Sequence, residues 1–189
     1  MIVLLAAVSA LGPVGMQILL PALPVIKETF AVSNDVAQLT LSLSMLAIAV
    51  GTLFYGPLSD KYGRKRVMLI GIVITLLGSL ICYVADSIFL LILGRFIQAF
   101  GGAVGLVLAR AIVRDVYGPE EAARVIATLV MVMVVLPMMS TALGGVLMQQ
   151  FGFESVFIVI ALASAIAFIF LLVWLPETVK KPVPFEGMI

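Results

Sequence analysis

Residues 36–85 read VAQLTLSLSMLAIAVGTLFYGPLSDKYGRKRVMLIGIVITLLGSLICYVA. The stretch holds two apolar runs, and each is close to the length of about 20 residues that a helix needs to cross a bilayer. Between them lies a short connection with glycine, proline and five charged residues, four of which are basic. This pattern predicts two antiparallel transmembrane helices joined by a tight polar turn.

The rest of the chain repeats this pattern. Of its 189 residues, 63% are hydrophobic and 11% are charged, whereas a soluble domain is about half apolar and about a quarter charged. The sequence therefore predicts an all-α membrane protein with six transmembrane helices. Their expected bounds are approximately 1–23, 36–57, 67–85, 88–112, 120–148 and 155–175, and residues 176–189 are expected to form a tail or a truncated linker.

Three breaks between the apolar runs carry residues that start helices. The Ser-Asn-Asp stretch at residues 33–35 can cap the second helix, and Asp86-Ser87 can cap the fourth, because short polar side chains accept hydrogen bonds from free backbone N–H groups. Pro119 stands where proline is favoured, near the start of the fifth helix.

The basic residues predict the orientation of the helices, since lysine and arginine collect in cytoplasmic loops. Lys27 is the one basic loop residue on the opposite side. Both termini are therefore expected in the cytoplasm, as in a multi-pass protein of the inner (plasma) membrane. The residues on the expected cytoplasmic side are Lys61, Arg64, Lys65, Arg66, Arg110, Arg114, Arg124, Lys180 and Lys181.

The composition argues against an enzyme, a metal site and a nucleic-acid partner. The sequence has no histidine and one cysteine, Cys82, so the usual general base and the common metal ligands are missing. The formal net charge of +1 gives no basic field for nucleic acid. An intramembrane protease would also have six helices, but no glycine-flanked G-x-S-G serine is present.

The connection between the second and third helices carries a specific motif. Residues 56–66, GPLSDKYGRKR, resemble the signature G-x-L-a-D-r-x-G-r-[RK] that the major facilitator superfamily has between the same two helices. Other stretches resemble the Bcr/CflA type of drug exporter within that superfamily. They are LPALP at 20–24, RFIQ at 95–98 with Gly101 and Gly102, ARAIVRD at 109–115, Leu136-Pro137 with Gly144 and Gly145, and PET at 176–178.

This resemblance implies the N-terminal half of a twelve-helix transporter, in which six helices form two three-helix units related as an inverted repeat. It also implies proton-coupled efflux of small drug-like molecules by alternating access. The implied partners are the lipid bilayer, a small-molecule substrate and a second six-helix half. The energy source would be the proton gradient, with no cofactor.

The resemblance further implies a cytoplasmic gate. In the family, the acid matched by Asp60 faces the N-terminal end of a helix in the opposite half, where an anion gains about 0.3–1 kcal/mol. The arginine matched by Arg64 pairs with an acid at the foot of the fourth helix, which Asp115 matches. The expected gate residues are Gly56, Asp60, Gly63, Arg64, Lys65, Arg66 and Asp115.

Gln17, Arg95 and Gln98 are the candidates for substrate binding or proton coupling. Arg95 is the one charge well inside an apolar run, which costs about 2.5–3.5 kcal/mol on insertion scales. The resemblance gives it a role in coupling or in shaping the cavity; the alternative is that it extends to the outer headgroups. Gln17 stands where related exporters often have an acid, so coupling would use acids near the membrane faces or be absent.

The fifth helix holds a motif of its own, formed by Pro137, Gly144 and Gly145, which allows a bend and close packing. It also carries five methionines, which suit a cavity for varied drugs or a face that contacts lipid. Thr141 stands where relatives usually have a second proline.

A single six-helix bundle lacks the transport pathway, which in this fold lies between two bundles. The second half is expected from an identical chain in a parallel homodimer or from an absent C-terminal half. In the homodimer, Asp60 would face Glu120 and Glu121 of the other chain. The alternatives are a non-transporting fragment and a membrane channel or assembly protein.

Overall fold

The computed structural model describes residues 1–178. Within this range the chain is helical and contains no strand. A short 3₁₀ turn, Leu20–Ala22, lies between the first two helices. The helices are α1 (Ile2–Gln17), α2 (Leu23–Thr29), α3 (Asn34–Tyr62), α4 (Arg64–Tyr83), α5 (Ile88–Val116), α6 (Pro119–Phe151) and α7 (Glu154–Trp174).

Six helical segments are long and apolar enough to cross a membrane. The first is Ile2–Thr29, which comprises α1, the 3₁₀ turn and α2, and each of α3 to α7 forms one more. The first span is interrupted near Pro21 and Pro24, since proline has no N–H to donate to the preceding turn. The predicted all-α fold with six transmembrane helices is confirmed.

The helix starts follow the predicted capping residues. Ser33 Oγ accepts a hydrogen bond of 3.4 Å from the N–H of Val36, and Ser87 Oγ accepts one of 3.3 Å from Leu90. Pro119 occupies the first position of α6. These contacts satisfy backbone donors that would otherwise be free at the helix ends.

The turn between α3 and α4 is shorter than the sequence suggested. The helix α3 continues past residue 57 to Tyr62, and α4 begins at Arg64. Gly63 alone forms the turn, with a φ of 97°, a conformation that glycine adopts without steric penalty. Gly56, expected in the turn, is therefore helical. The predicted tail is described only to Thr178, so Lys180 and Lys181 lie outside the described residues.

The centre of the bundle is α5, which packs against α1, α3 and α4. Glycines make these contacts close. A Cβ atom at Gly105 would lie 2.2 Å from the carbonyl oxygen of Val8 on α1, and one at Gly101 would lie 2.5 Å from the backbone nitrogen of Thr75 on α4. Small residues of this kind let helix backbones approach in a membrane, where dispersion contacts drive helix association.

The motif predicted for the fifth transmembrane helix lies on α6, and its two glycines have different surroundings. A Cβ atom at Gly144 would lie 2.2 Å from the carbonyl oxygen of Ile18, whereas nothing lies within 4 Å of one at Gly145. Pro137 is buried inside α6, which remains one helix through it. The methionines Met131, Met138 and Met139 on the same helix are exposed by 63–71%.

We predict that Gly105→Ala destabilises the bundle, because the added methyl group must push α1 away from α5. Overpacking of this kind costs about 1–3 kcal/mol. The measurement is the thermal unfolding of the purified chain in detergent micelles. Gly145→Ala is the matched control and should not lower the Tm, since its methyl group meets open space and alanine favours a helix more than glycine does. Equal Tm values for the two variants would contradict the packing account.

Candidate functional site

The ends of α3, α4, α5 and α7 meet around one arginine. Arg64 donates from Nη1 to Asp60 Oδ1 and to Ser59 Oγ, and from Nε to Asp115 Oδ2 at 3.1 Å. Its side chain is 14% exposed, while that of Asp60 is 56% exposed. We call Ser59, Asp60, Arg64, Asp115 and Glu177 the Arg64 cluster, and we call the end of the bundle that holds it the basic end.

The chain after α7 completes this cluster. The carboxylate of Glu177 accepts a hydrogen bond of 2.8 Å from the backbone N–H of Arg64, at the N-terminus of α4, where the helix dipole favours an anion. Thr178 Oγ1 donates to Asp115 Oδ2 at 3.5 Å. Residues separated by more than 100 positions in the sequence are thus tied to the same turn.

The gate residues predicted from the sequence have different surroundings. Asp60, Arg64 and Asp115 come together, and Gly63 supplies the turn. Lys65 instead donates from Nζ to the carbonyl oxygen of Leu172 at 2.8 Å, which places a positive charge at the C-terminal end of α7.

Two gate residues stand outside the cluster. Arg66 is exposed, and no ion pair or hydrogen bond of its side chain is present among residues 1–178. Gly56 lies one helical turn before the cluster, and its carbonyl oxygen accepts a hydrogen bond of 2.8 Å from Ser59 Oγ. Gly56 therefore orients Ser59 and does not contact Arg64 directly.

Ser59 and Glu177 were missed as site residues. Ser59 lies inside the motif of residues 56–66, but a serine on a helix gives no signal of its own because it usually bonds to a carbonyl in the preceding turn. Glu177 is part of the PET stretch, and its position after an apolar helix could have suggested an anion near a helix start. Its contact with Arg64 depends on how α7 packs against α4.

The second polar group lies inside the bundle. Arg95 is 1% exposed and donates from Nη1 to the carbonyl oxygen of Gly15 at 2.9 Å and to Gln98 Oε1. Gln98 Nε2 donates to Ser79 Oγ at 2.7 Å. These contacts link α1, α4 and α5, so the alternative in which Arg95 extends to the outer headgroups is wrong.

The charge of Arg95 has no carboxylate partner in the described part of the chain. Its Nε atom is buried without a hydrogen-bond acceptor, beside a cavity of about 10 Å³. The described carboxylates all lie at or near helix ends. Arg95 is therefore a buried cation held only by neutral groups, an arrangement in which each acceptor matters.

Gln17 does not join this group. Its side chain is partly buried, and its carbonyl oxygen accepts a hydrogen bond of 3.4 Å from Thr141 Oγ1 on α6. Within residues 1–178 there is no hydrogen bond from the Gln17 side chain to Arg95 or Gln98. Of the three coupling candidates, the structure brings two together.

A larger groove of about 770 Å³ lies between α1, α6 and α7. Its walls are apolar, with Met139 and Leu143 from α6 and Phe170 and Trp174 from α7. Among residues 1–178, no charged residue lines it. The groove is therefore separate from both polar groups.

We predict that Arg95 and Gln98 are energetically coupled. Gln98→Met keeps the volume but removes an acceptor from a buried guanidinium, which costs about 1.5–3 kcal/mol. In the double variant, Arg95→Met also removes the charge, so the total destabilisation is smaller than the sum of the two single effects. The measurement is a double-mutant cycle on the free energy of unfolding, with an expected coupling of about 0.5–3 kcal/mol. Additive single effects would show that the two side chains do not act together.

The sequence profile of the Major Facilitator Superfamily matches residues 5–188. Among curated relatives, a bicyclomycin resistance protein homolog of Haemophilus influenzae is 32% identical over 180 residues, which are 95% of this chain and 45% of the relative. Multidrug resistance protein D of Escherichia coli is 30% identical over 178 residues, which are 94% of this chain and 44% of the relative. The chain spans about half the length of the curated relatives it matches.

Solved structures show the same fold. The human organic anion transporter MFSD10 aligns with a TM-score of 0.75 at 22% identity. The alignment covers 97% of this chain and 49% of that transporter. A bacterial homolog of the human lysosomal transporter Spinster aligns with a TM-score of 0.79 at 21% identity, over 94% of this chain and 44% of its own. The predicted resemblance is confirmed: this chain belongs to the major facilitator superfamily, a family of membrane transporters and not of enzymes.

Proposed function

We propose that the chain forms one half of an exporter that moves small drug-like molecules across the bacterial plasma membrane by alternating access. The observation that carries this proposal is the Arg64 cluster, because it ties four helices together at one end of the bundle through contacts that can form and break. The names of the curated relatives, which include bicyclomycin and multidrug resistance proteins, support drug-like substrates. The basic end would face the cytoplasm, with both termini on that side.

The cluster would act as the cytoplasmic gate. Arg64, at the start of α4, forms an ion pair with Asp60 near the end of α3. The Asp60 side chain is still 56% exposed, so it remains accessible to a second bundle. If the Asp60 carboxylate meets the N-terminus of a helix in that bundle, the contact gains about 0.3–1 kcal/mol, and up to about 2 kcal/mol when partly buried. This contact would close the cytoplasmic side and break when the two bundles separate there.

The transport pathway requires a second six-helix half. Large apolar side chains on α3 and α6 are exposed, including Leu53 at 75% and Phe54 at 61%. They offer surface for lipid or for a second bundle. In a homodimer, Asp60 would approach Glu120 and Glu121, both of which are exposed in the first turn of α6. Repulsion between these carboxylates favours a second six-helix half of different sequence over an identical chain, which is the second possibility.

Proton coupling would depend on acids near the membrane faces. The described spans hold no carboxylate in their interior, and Gln17 cannot release a proton. Asp60 and Asp115 are the best placed acids, since both bind Arg64 and protonation of either would weaken that ion pair. A proton would thereby loosen the gate, with the proton gradient as the energy source and without a cofactor.

A channel, an assembly protein or a non-transporting fragment is the competing interpretation. A channel would conduct its substrate down its own gradient and would not respond to an imposed pH gradient. An assembly protein would bind a partner without flux. The Arg64 cluster favours the transporter, because a gate of paired charges at one end is of use only if that end opens and closes.

We predict that Asp60→Asn slows transport by about tenfold, equivalent to about 1.4 kcal/mol, because the neutral amide loses both the ion pair with Arg64 and the dipole contact. The assay is dye flux under an imposed pH gradient in proteoliposomes. These contain the chain joined to the second half of the Haemophilus influenzae relative, and the dyes are cationic, neutral and anionic.

Asp35→Asn is the control for this assay. It removes an equivalent exposed charge from the first turn of α3, at the other end of the bundle, and should leave the rate unchanged. Flux that ignores the pH gradient for every dye would contradict proton coupling. Equal rates for the two variants would contradict the gate.

A further inference from the structure

We infer that Arg110 on α5 binds the anionic group of an amphipathic organic anion, which makes such anions the substrate class. This inference rests on the proposed transport function. The chemistry that it requires is an oxyanion, such as a carboxylate, a sulfonate or a phosphate, attached to an apolar body.

The guanidinium of Arg110 is poorly satisfied. Its Nε atom is buried without a hydrogen-bond acceptor, and its Nη2 atom has only the sulfur of Met133 at 3.8 Å, which is a weak acceptor. None of the described carboxylates forms an ion pair with it. By contrast, Arg64 at the same end of the bundle has two carboxylate partners.

The position of Arg110 limits the exposure of its charge to water. It lies six residues before the end of α5 at Val116, which is about 9 Å along the helix. The residue is partly buried, whereas Arg114 and Arg124 nearby are exposed. A guanidinium that is partly desolvated and lacks an anion is unfavourable, so an anion that reaches it would be bound more strongly than at an exposed arginine.

The helix face that carries Arg110 points away from the tight contacts with α1 and α4, although Ala103, about 20° away on α5, packs close to Gly51 of α3. At about 100° per residue, Arg110 lies about 140° around α5 from Gly105, which packs on α1, and about 180° from Gly101, which packs on α4. Its side chain instead lies between α5 and α6. An anion can therefore approach Arg110 without separating α5 from α1 or α4.

The neighbouring surface of α6 suits an apolar body. Val130 and Leu136 stand three residues before and after Met133, on the same helix face, and they are 42% and 39% exposed. Methionine adapts to ligands of different shape. The planar guanidinium offers paired N–H donors that match the two oxygens of a carboxylate or sulfonate. Charge and apolar surface thus adjoin, as an amphipathic anion requires.

The sign of the buried charge points the same way. Arg95 and Arg110 both lie on α5 without an ion pair among the described residues, and the one acid of α5, Asp115, pairs with Arg64 instead. An organic cation at Arg110 would meet an unpaired charge of its own sign, which costs free energy in a medium of low dielectric constant. An anion would be attracted to Arg110 and would contact it.

The test is binding of two matched fluorescent probes to the full chain in nanodiscs of zwitterionic lipid. The anion is 1-anilinonaphthalene-8-sulfonate, and the neutral probe is N-phenyl-1-naphthylamine, which is the same molecule without the sulfonate. Arg110→Gln should raise the Kd of the anion by about tenfold or more, as expected for loss of a charge-assisted hydrogen bond. The Kd of the neutral probe should stay unchanged.

Two further variants make the result specific. Arg124→Gln removes an exposed charge at the same end and should leave the Kd of the anion unchanged. Arg110→Lys keeps the charge but loses the paired donors, so its Kd should fall between those of the wild type and Arg110→Gln. Equal weakening by Arg110→Gln and Arg124→Gln would overturn the inference, since it would indicate general attraction to a basic surface. Equal weakening of both probes would overturn it as well.

Phosphatidylglycerol in the nanodiscs distinguishes a soluble anion from a lipid headgroup. If the lipid abolishes binding of the anion to the wild type, and this competition disappears in Arg110→Gln, the site belongs to a headgroup and the substrate assignment is overturned. If the anion still binds, the assignment stands. Because these are equilibrium measurements, they can fail while dye flux under a pH gradient succeeds, so the inference and the proposed function are tested separately.

Discussion

The close approach of α5 to its neighbours is the contact on which the other features depend. In a bilayer, apolar side chains gain little by moving from lipid to protein, so helices associate through dense packing of their backbones. Gly105 and Gly101 allow this packing against α1 and α4. The same approach brings Arg95 within 2.9 Å of the carbonyl oxygen of Gly15. It also sets the far end of α5, where Asp115 meets Arg64. A shift of α5 would disturb both polar groups together.

Charges in this chain fall into two environments with different consequences. At the basic end, Arg64 contacts two carboxylates and the hydroxyl group of Ser59, and ion pairs near water are weak enough to break. Inside α5, Arg95 and Arg110 have no anion partner in the described part of the chain. Arg95 is held by neutral acceptors and stabilises the packing of three helices, whereas the Nε of Arg110 has no acceptor. The contacts of Arg95 thus join three helices, and Arg110 is the arginine for which we propose a ligand.

The sequence predicted the six spans and the capping residues, because these depend on local hydrophobicity and local hydrogen bonding, whereas the meeting of Arg64 with Asp115 was implied by the family resemblance. It did not predict that α3 extends to Tyr62, since a polar GPLSD stretch looks like a turn until its carbonyl groups are seen to continue the helix. Glu177 was missed because its contact depends on where α7 ends. The different surroundings of Gly144 and Gly145 depend on helix rotation, which sequence spacing alone does not fix.

Exchange of dye across the membrane decides whether the bundle works as one side of an alternating-access transporter. Proteoliposomes with the chain joined to a second half would be loaded with unlabelled dye, and the initial entry of labelled dye would be measured. A carrier that must return its binding site is accelerated by substrate on the far side, so the account predicts a several-fold faster entry. An entry rate that does not depend on internal dye would indicate a channel and would contradict the account.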